Sequence, residues 1–124
     1  MKYRKYLIQV ILISIIIISM IFLTKNKPFG VTVLKVASNS MVPTFQKGDY
    51  IVIKKQKEYN IGDIITYEIN ENNRKYLVTH RIINKEKNEY KMKGDANNKE
   101  DLEKITQNEI IGKTKYILKS PFNK

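Results

Sequence analysis

The chain has 124 residues, no cysteine and one histidine, and its 23 basic and 12 acidic residues give a net charge of +11. This length suits one domain. The lack of cysteine excludes disulfides, thiolate metal sites and cysteine nucleophiles, and a single histidine excludes a histidine-rich metal site. We therefore expect no metal site.

The positive charge is spread along the chain. Residues 1–24 hold three of the basic residues and no acid, so residues 25–124 carry 20 basic and 12 acidic residues, a net charge of +8. In residues 85–89 the lysines alternate with glutamate and asparagine. The sequence lacks the stripe of aromatic and basic side chains on which bases stack, and we expect no nucleic-acid partner.

The first segment of the chain is strongly apolar. Leu7–Leu23 is a run of 17 uncharged residues, close to the roughly 20 residues that cross the bilayer core. We predict a transmembrane anchor over residues 6–24 rather than a cleaved signal peptide, because residues 24–28 lack a small-x-small cleavage site. The basic residues within 1–5 favour a cytoplasmic N-terminus, which places residues 25–124 outside the cytoplasm as the functional domain.

The remainder of the chain has the pattern of a β domain. Short runs rich in Ile, Val, Thr and Tyr, bounded by Gly, Asn or Asp, predict strands over residues 49–54, 64–69, 76–83, 89–93 and 110–117. A sixth strand is expected over Val31–Val36, and a short helix over Asn98–Gln107. Short strands with regular turns indicate a small closed or folded-over β structure.

Serine, histidine and aspartate side chains suggest candidate chemistry. Ser40 lies in a polar loop after the first predicted strand, and the single histidine, His80, shares a strand face with Val78 and Ile82. Partial burial among these apolar side chains favours neutral imidazole, the form that a general base requires. An acidic loop with two aspartates follows at residues 93–101. Residue types in this order do not by themselves identify a catalytic triad.

Three local motifs together carry a family resemblance. The run Ser38-Asn39-Ser40-Met41-Val42-Pro43-Thr44, followed by Gly48-Asp49 and a strand, resembles the Ser-x-Ser-Met-x-Pro-Thr box of type I signal peptidases. Thr79-His80-Arg81-Ile82 resembles the second box, and Lys93-Gly94-Asp95-Ala96-Asn97 with the later Asp101 resembles the third. Three motifs in the family's order are far more specific than any one alone.

Histidine in the second box indicates one branch of that family. Most bacterial members have lysine there, whereas the endoplasmic-reticulum type, which includes the eukaryotic catalytic subunit and the SipW-like enzymes of Gram-positive bacteria, has histidine. The resemblance thus implies a Gram-positive source and a small signal-peptidase- or LexA-like β catalytic domain after one transmembrane helix. It implies no cofactor, and as partners it implies the lipid bilayer and exported pre-proteins, which bind as an extended strand.

The resemblance also assigns roles to individual residues. Ser40 becomes the nucleophile and His80 the general base, and Asp101 would orient the imidazole. The backbone N–H of Ser40 and the hydroxyl of Ser38 would bind the oxyanion. Asp95 is the alternative to Asp101, or else it supports the site by pairing with Arg81.

Two other readings stay open at this point. The chain could be a Ser-Lys peptidase with Lys75, Lys91 or Lys93 as the base. It could also be a membrane-anchored module without activity that binds a wall polymer or a partner through its +8 outer domain. Replacing Ser40 separates enzyme from module, and replacing His80 separates the two enzyme types.

Overall fold

The computed structural model describes residues 2–26 and 30–122. One helix, α1, covers Lys2–Asn26. Seven strands follow: β1 Val31–Lys35, β2 Tyr50–Lys54, β3 Ile64–Glu71, β4 Arg74–Glu86, β5 Glu89–Lys93, β6 Ile105–Thr106 and β7 Ile110–Leu118, with a 3-10 turn at Gln107–Glu109. The expected mostly-β architecture with an N-terminal apolar helix is confirmed.

Helix α1 has apolar side chains on all sides, and they are exposed rather than buried against the rest of the protein. Its side chains from Lys2 to Lys25 are exposed, and Lys2–Lys25 is long and apolar enough to cross a membrane. The helix begins before the predicted anchor at residues 6–24 and continues past it. Residues 27–29, which overlap the segment 24–28 that lacks a small-x-small cleavage site, lie outside the described residues.

The strands form one sheet in the order β1-β2-β7-β3-β4-β5-β6. Every pair of neighbours is antiparallel. The central β3–β4 hairpin turns at Asn72 and Asn73, whose φ angles of 50° and 61° are those of the two-residue turns that suit twisted hairpins. This turn fixes the register in which Ile65 lies opposite His80.

Two apolar clusters hold the domain together. The larger one packs the face of β3, β4 and β5 and comprises Tyr59, Ile65, Tyr67, Ile82, Tyr90, Met92, Ile105 and Ile110. The smaller one joins the loop after β1 to β2 and comprises Met41, Phe45, Ile51 and Ile53. Because two members of the smaller cluster belong to the serine-containing loop, burial of apolar surface fixes that loop on the sheet.

The helix predicted over Asn98–Gln107 is wrong. The N–H of Asp101 donates to the carbonyl of Met92 at 2.8 Å, and Ile105 and Thr106 pair with β5 as strand β6. Backbone groups that bond to a neighbouring strand are not available for the i to i−4 bonds of a helix. Pairing with β5 therefore overrides a weak local helical preference.

Candidate active site

The loop that carries Ser40 packs into the smaller apolar cluster. Met41 and Phe45 on either side of the turn are 1% and 2% exposed, and the N–H of Thr44 donates to the carbonyl of Met41 at 2.8 Å. The peptide bond before Pro43 is cis. Ser40 thus projects from a short turn whose two ends are buried.

The acidic loop after β5 holds the same turn from the other side. The N–H of Ala96 donates to the carbonyl of Ser40 at 2.9 Å. A Cβ placed on Gly94 would lie 2.7 Å from that carbonyl oxygen and 2.6 Å from the Asn97 side-chain nitrogen. Glycine is therefore required at position 94 for the close approach of the two loops.

His80 reaches Ser40 from strand β4. Its side chain lies on the face that also presents Ile82, and the residue is 9% exposed. The Nε2 atom of His80 is 3.2 Å from the Oγ atom of Ser40. This is the reach that a base needs in order to take the hydroxyl proton.

Asp101 lies on the opposite side of the imidazole. Its Oδ2 atom is 2.7 Å from the Nδ1 atom of His80, and its side chain is 22% exposed. Ser40, His80 and Asp101 therefore form one continuous chain of hydrogen-bonding distances. A serine hydroxyl, an imidazole and a carboxylate in this order can support nucleophilic attack on a carbonyl.

Asp95 faces a different partner. Two nitrogens of the Arg81 guanidinium donate to its two carboxylate oxygens at 2.8 and 2.7 Å, and the hydroxyl of Thr44 donates to it as well. The Arg81 hydrogen bonds hold the pKa of the Asp95 carboxyl below its usual range, and the same contacts raise the pKa of Arg81. The structure thus brings Asp101 to the imidazole and Asp95 to Arg81. The bidentate pair between Arg81 and Asp95, together with the hydrogen bond from Thr44 to Asp95, links β4 to the Ser40 loop.

The three lysines considered as alternative bases have other surroundings. The described contacts of the Ser40 hydroxyl are with Ser38 and His80. Lys75 and Lys91 form ion pairs with glutamates at 2.7 and 3.1 Å, and Lys93 ends strand β5. Among the described contacts of the Ser40 hydroxyl, the side-chain nitrogen is Nε2 of His80.

A groove runs past the serine hydroxyl. It has a volume of about 430 Å³ and is lined by Leu34, Lys35, Val36, Ala37, Ser38, Ser40, Phe45, Ile51, Leu77, Val78, Thr79, His80 and Asn97. The ladder between β4 and β5 begins only at Arg81, so the edge of β4 along residues 77–79 has no ladder partner on that side among the described residues. An extended peptide can add to such an edge. The Oγ atom of Ser38 lies at the rim, 3.3 Å from that of Ser40.

One residue of this site was not identified from the sequence. The hydroxyl of Tyr67 donates to Asp101 at 2.6 Å, and the residue is 3% exposed. A signal was present, because the Asn72-Asn73 turn fixes the hairpin register and so places Tyr67 on the same face as His80. A buried tyrosine hydroxyl also requires a polar partner.

Comparison with known proteins gives a family match over most of the chain. The family described as peptidase S24-like matches residues 9–115. Signal peptidase I W of Bacillus subtilis is 32% identical over 111 residues, which are 78% of this chain and 57% of that protein.

Similar proteins also occur in yeasts. The signal peptidase complex catalytic subunit SEC11 of Scheffersomyces stipitis is 36% identical over 75 residues, 56% of this chain and 44% of that protein. The protein of the same name in Ogataea parapolymorpha is 30% identical over 83 residues, 56% of this chain and 47% of that protein. The chain thus spans about half the length of the curated relatives it matches. The resemblance to type I signal peptidases is confirmed.

Proposed function

Because the chain belongs to the peptidase S24-like family, we propose that it is a membrane-bound serine endopeptidase of the type I signal peptidase kind. It removes N-terminal signal peptides from exported pre-proteins through an acyl-enzyme. The observation that carries this proposal is the continuous contact from Ser40 through His80 to Asp101, at 3.2 and 2.7 Å.

The proposed chemistry follows from that arrangement. His80 takes the proton of the Ser40 hydroxyl as the oxygen attacks the peptide carbonyl, and it returns the proton to the leaving amine. Asp101 orients the imidazole and stabilises its charged form. A water molecule then attacks the ester on Ser40 while His80 takes a proton from it. His80 gives that proton to the Ser40 oxygen as the signal peptide leaves, which restores the hydroxyl.

The negative oxygen of the tetrahedral intermediate requires donors that are already in position. The Ser40 N–H and the Ser38 hydroxyl are proposed for this task. Support comes from the position of the Ser38 oxygen, 3.3 Å from the attacking oxygen. Asp95 and Arg81 act further out, by fixing the Ser40 loop against β4.

Substrate binding is proposed to occur in the groove beside Ser40. The peptide adds as a strand along residues 77–79 of β4, and main-chain hydrogen bonds supply much of the affinity. Alternate side chains of an extended peptide point the same way, so residues −1 and −3 before the cut enter the groove together. The small residues preferred at these positions suit a groove with walls of leucine, valine and phenylalanine.

The apolar helix gives the proposed location. Residues 1–5 lie in the cytoplasm, residues 6–24 span the cell membrane once, and residues 25–124 form the peptidase domain outside the cytoplasm, in a Gram-positive bacterium. Support comes from the length and composition of Lys2–Lys25 and from the basic residues at the start of the chain. Anchoring raises the local concentration of enzyme near membrane-bound pre-proteins.

The proposal is tested by cleavage of a pre-protein in membranes that contain the full chain or its variants. The N-termini of the products and of secreted proteins in cells are mapped by mass spectrometry. We expect Ser40→Ala and His80→Ala to abolish cleavage after the small residues. Ser14→Ala, which removes a hydroxyl bonded to its own helix in α1, serves as the matched control and should cleave normally.

The other readings give different outcomes in the same experiment. Loss of cleavage in Ser40→Ala with retention in His80→Ala would favour a lysine base and refute the assigned pair. If no N-terminus depends on Ser40, the peptidase proposal fails and a binding module is favoured. Binding by such a module would weaken with salt, because it depends on exposed charge.

A further inference from the structure

The hydroxyl of Tyr67 lies beside the contact between His80 and Asp101, although none of the three motifs includes it. We infer that Tyr67 is a positioning residue, which holds Asp101 and His80 so that the Nε2 atom is free to accept the Ser40 proton. The inference rests on the proposed function, and it assigns a role to a buried phenol that the chemistry above does not use.

The sheet places Tyr67 next to the imidazole. In the β3–β4 ladder Tyr67 lies opposite Val78 and Ile65 lies opposite His80, so Tyr67 and His80 are diagonal neighbours on one face. Their ring centroids are 6.4 Å apart with an interplanar angle of 68°. The ring of Tyr67 is thus part of the wall against which the imidazole packs.

The Tyr67 hydroxyl, an Asp101 oxygen and a His80 nitrogen lie within hydrogen-bonding distance of one another. The Tyr67 hydroxyl donates to the Oδ2 atom of Asp101 at 2.6 Å, and the same oxygen is 2.7 Å from the Nδ1 atom of His80. The Tyr67 oxygen is itself 3.4 Å from that nitrogen. Asp101 is therefore held by two groups through a single oxygen.

The donors and acceptors around the imidazole determine which of its two nitrogens carries the proton. A phenol has one proton, and Tyr67 uses it on Asp101. An ionised carboxylate only accepts hydrogen bonds, so Nδ1 of His80 faces two accepting oxygens and must carry the proton. The neutral ring then leaves Nε2 unprotonated toward Ser40, which is the tautomer that a general base needs.

Burial keeps the phenol a donor. Removal from water raises the pKa of Tyr67, and the hydrogen bond to the negative Asp101 raises it further. The other ionisable residues that line the adjoining cleft are Glu71, at the end of β3, and Glu103, beyond Asp101. Both are acids on exposed positions, and neither offers Asp101 a donor in place of the phenol.

The variant Tyr67→Phe keeps the ring and removes only the hydroxyl. The Asp101 carboxylate then loses one donor, its negative charge acts more fully on the imidazole, and His80 should hold its proton to higher pH. We expect the imidazole signal of this variant to change at a higher pH than that of the unsubstituted chain. We expect kcat to fall about tenfold to a hundredfold with little change in KM, because Asp101 and the imidazole are no longer held in the geometry that proton transfer from Ser40 needs.

The chain offers a direct readout, because His80 is its only histidine. The full chain labelled with ¹³C and ¹⁵N in histidine and held in lipid nanodiscs gives one imidazole signal to follow against pH. Tyr90→Phe is the matched control, because Tyr90 is also 3% exposed and donates its hydroxyl to Gln107 at 2.9 Å. A signal change at higher pH in Tyr67→Phe but not in Tyr90→Phe supports the inference; an unchanged midpoint, or equal shifts in both variants, overturns it.

A second measurement needs no substitution and covers the case in which Tyr67→Phe does not fold. The ¹⁵N shifts of the two ring nitrogens in the unsubstituted chain should show the proton on Nδ1, and a proton on Nε2 overturns the inference. Because these readouts do not require turnover, they can be repeated in Ser40→Ala. If cleavage never depends on Ser40, the proposed function fails; if cleavage holds but Tyr67→Phe titrates and turns over like the unsubstituted chain, only the role of Tyr67 fails.

Discussion

The replacement Asp101→Asn removes a charge from the site while keeping its shape. Asp101 is 2.7 Å from the imidazole and 22% exposed. At a charge separation of about 4 Å and an effective dielectric constant of about 20, a carboxylate stabilises imidazolium by about 4 kcal/mol. That is about a thousandfold in rate, and partial exposure reduces it, so we expect kcat to fall by about 10²- to 10³-fold.

The assay measures cleavage of a pre-protein by the full chain in nanodiscs, at saturating and at limiting substrate. The loss should appear in kcat, because charge on the imidazole develops only as the bond forms. Asp63→Asn is the matched control: that carboxylate is 14% exposed and pairs with Lys113, and its loss should leave kcat unchanged. A rate for Asp101→Asn above about a third of that of the unsubstituted chain, or an equal loss in Asp63→Asn, would exclude electrostatic stabilisation of the imidazolium by Asp101.

Three further substitutions probe the surroundings of the nucleophile. Gly94→Ala places a Cβ 2.7 Å from the Ser40 carbonyl, so cleavage should fall at least about tenfold; unimpaired cleavage would contradict the close contact. Ser38→Ala should lower kcat about 10²- to 10³-fold if its hydroxyl binds the oxyanion, and a change in KM alone would exclude that role. Because Arg81 lowers the pKa of Asp95, their contact should stabilise the fold fully above about pH 5 and less as pH falls through the depressed pKa. Chemical unfolding of Asp95→Asn beside the unsubstituted chain should therefore show a stability gap that narrows in acid, and a gap that widens would reverse the sign.

Local sequence predicted most of the sheet because its strands are short and clearly bounded. The runs that contain Ile51, Ile65 and His80 each form a strand close to the predicted range. Residues 98–107 were predicted incorrectly, because their conformation depends on pairing with β5, a contact that local preference does not encode. Long-range pairing, rather than propensity, decides the structure of that segment.

In the site, too, local sequence identifies residues but does not give their arrangement in space. Motifs identified Ser40, His80 and Asp101 as candidates, but their mutual distances depend on how two loops meet over the β4 strand. Tyr67 belongs to no motif, and its place beside Asp101 follows from the register of the β3–β4 hairpin. Counting residues outward from the Asn72-Asn73 turn would have placed it on the face of His80, which shows that turn chemistry carries information about the site.

In the proposed reaction the hydroxyl of Ser40 attacks the peptide carbonyl with His80 as its base. The most direct test is a rapid-quench reaction of the full chain in nanodiscs with a signal-peptide substrate, followed by peptide mapping by mass spectrometry. We expect a transient acyl ester on Ser40 that is absent in His80→Ala. Cleavage that proceeds without an ester on Ser40, or that persists in Ser40→Ala, would contradict the proposed reaction.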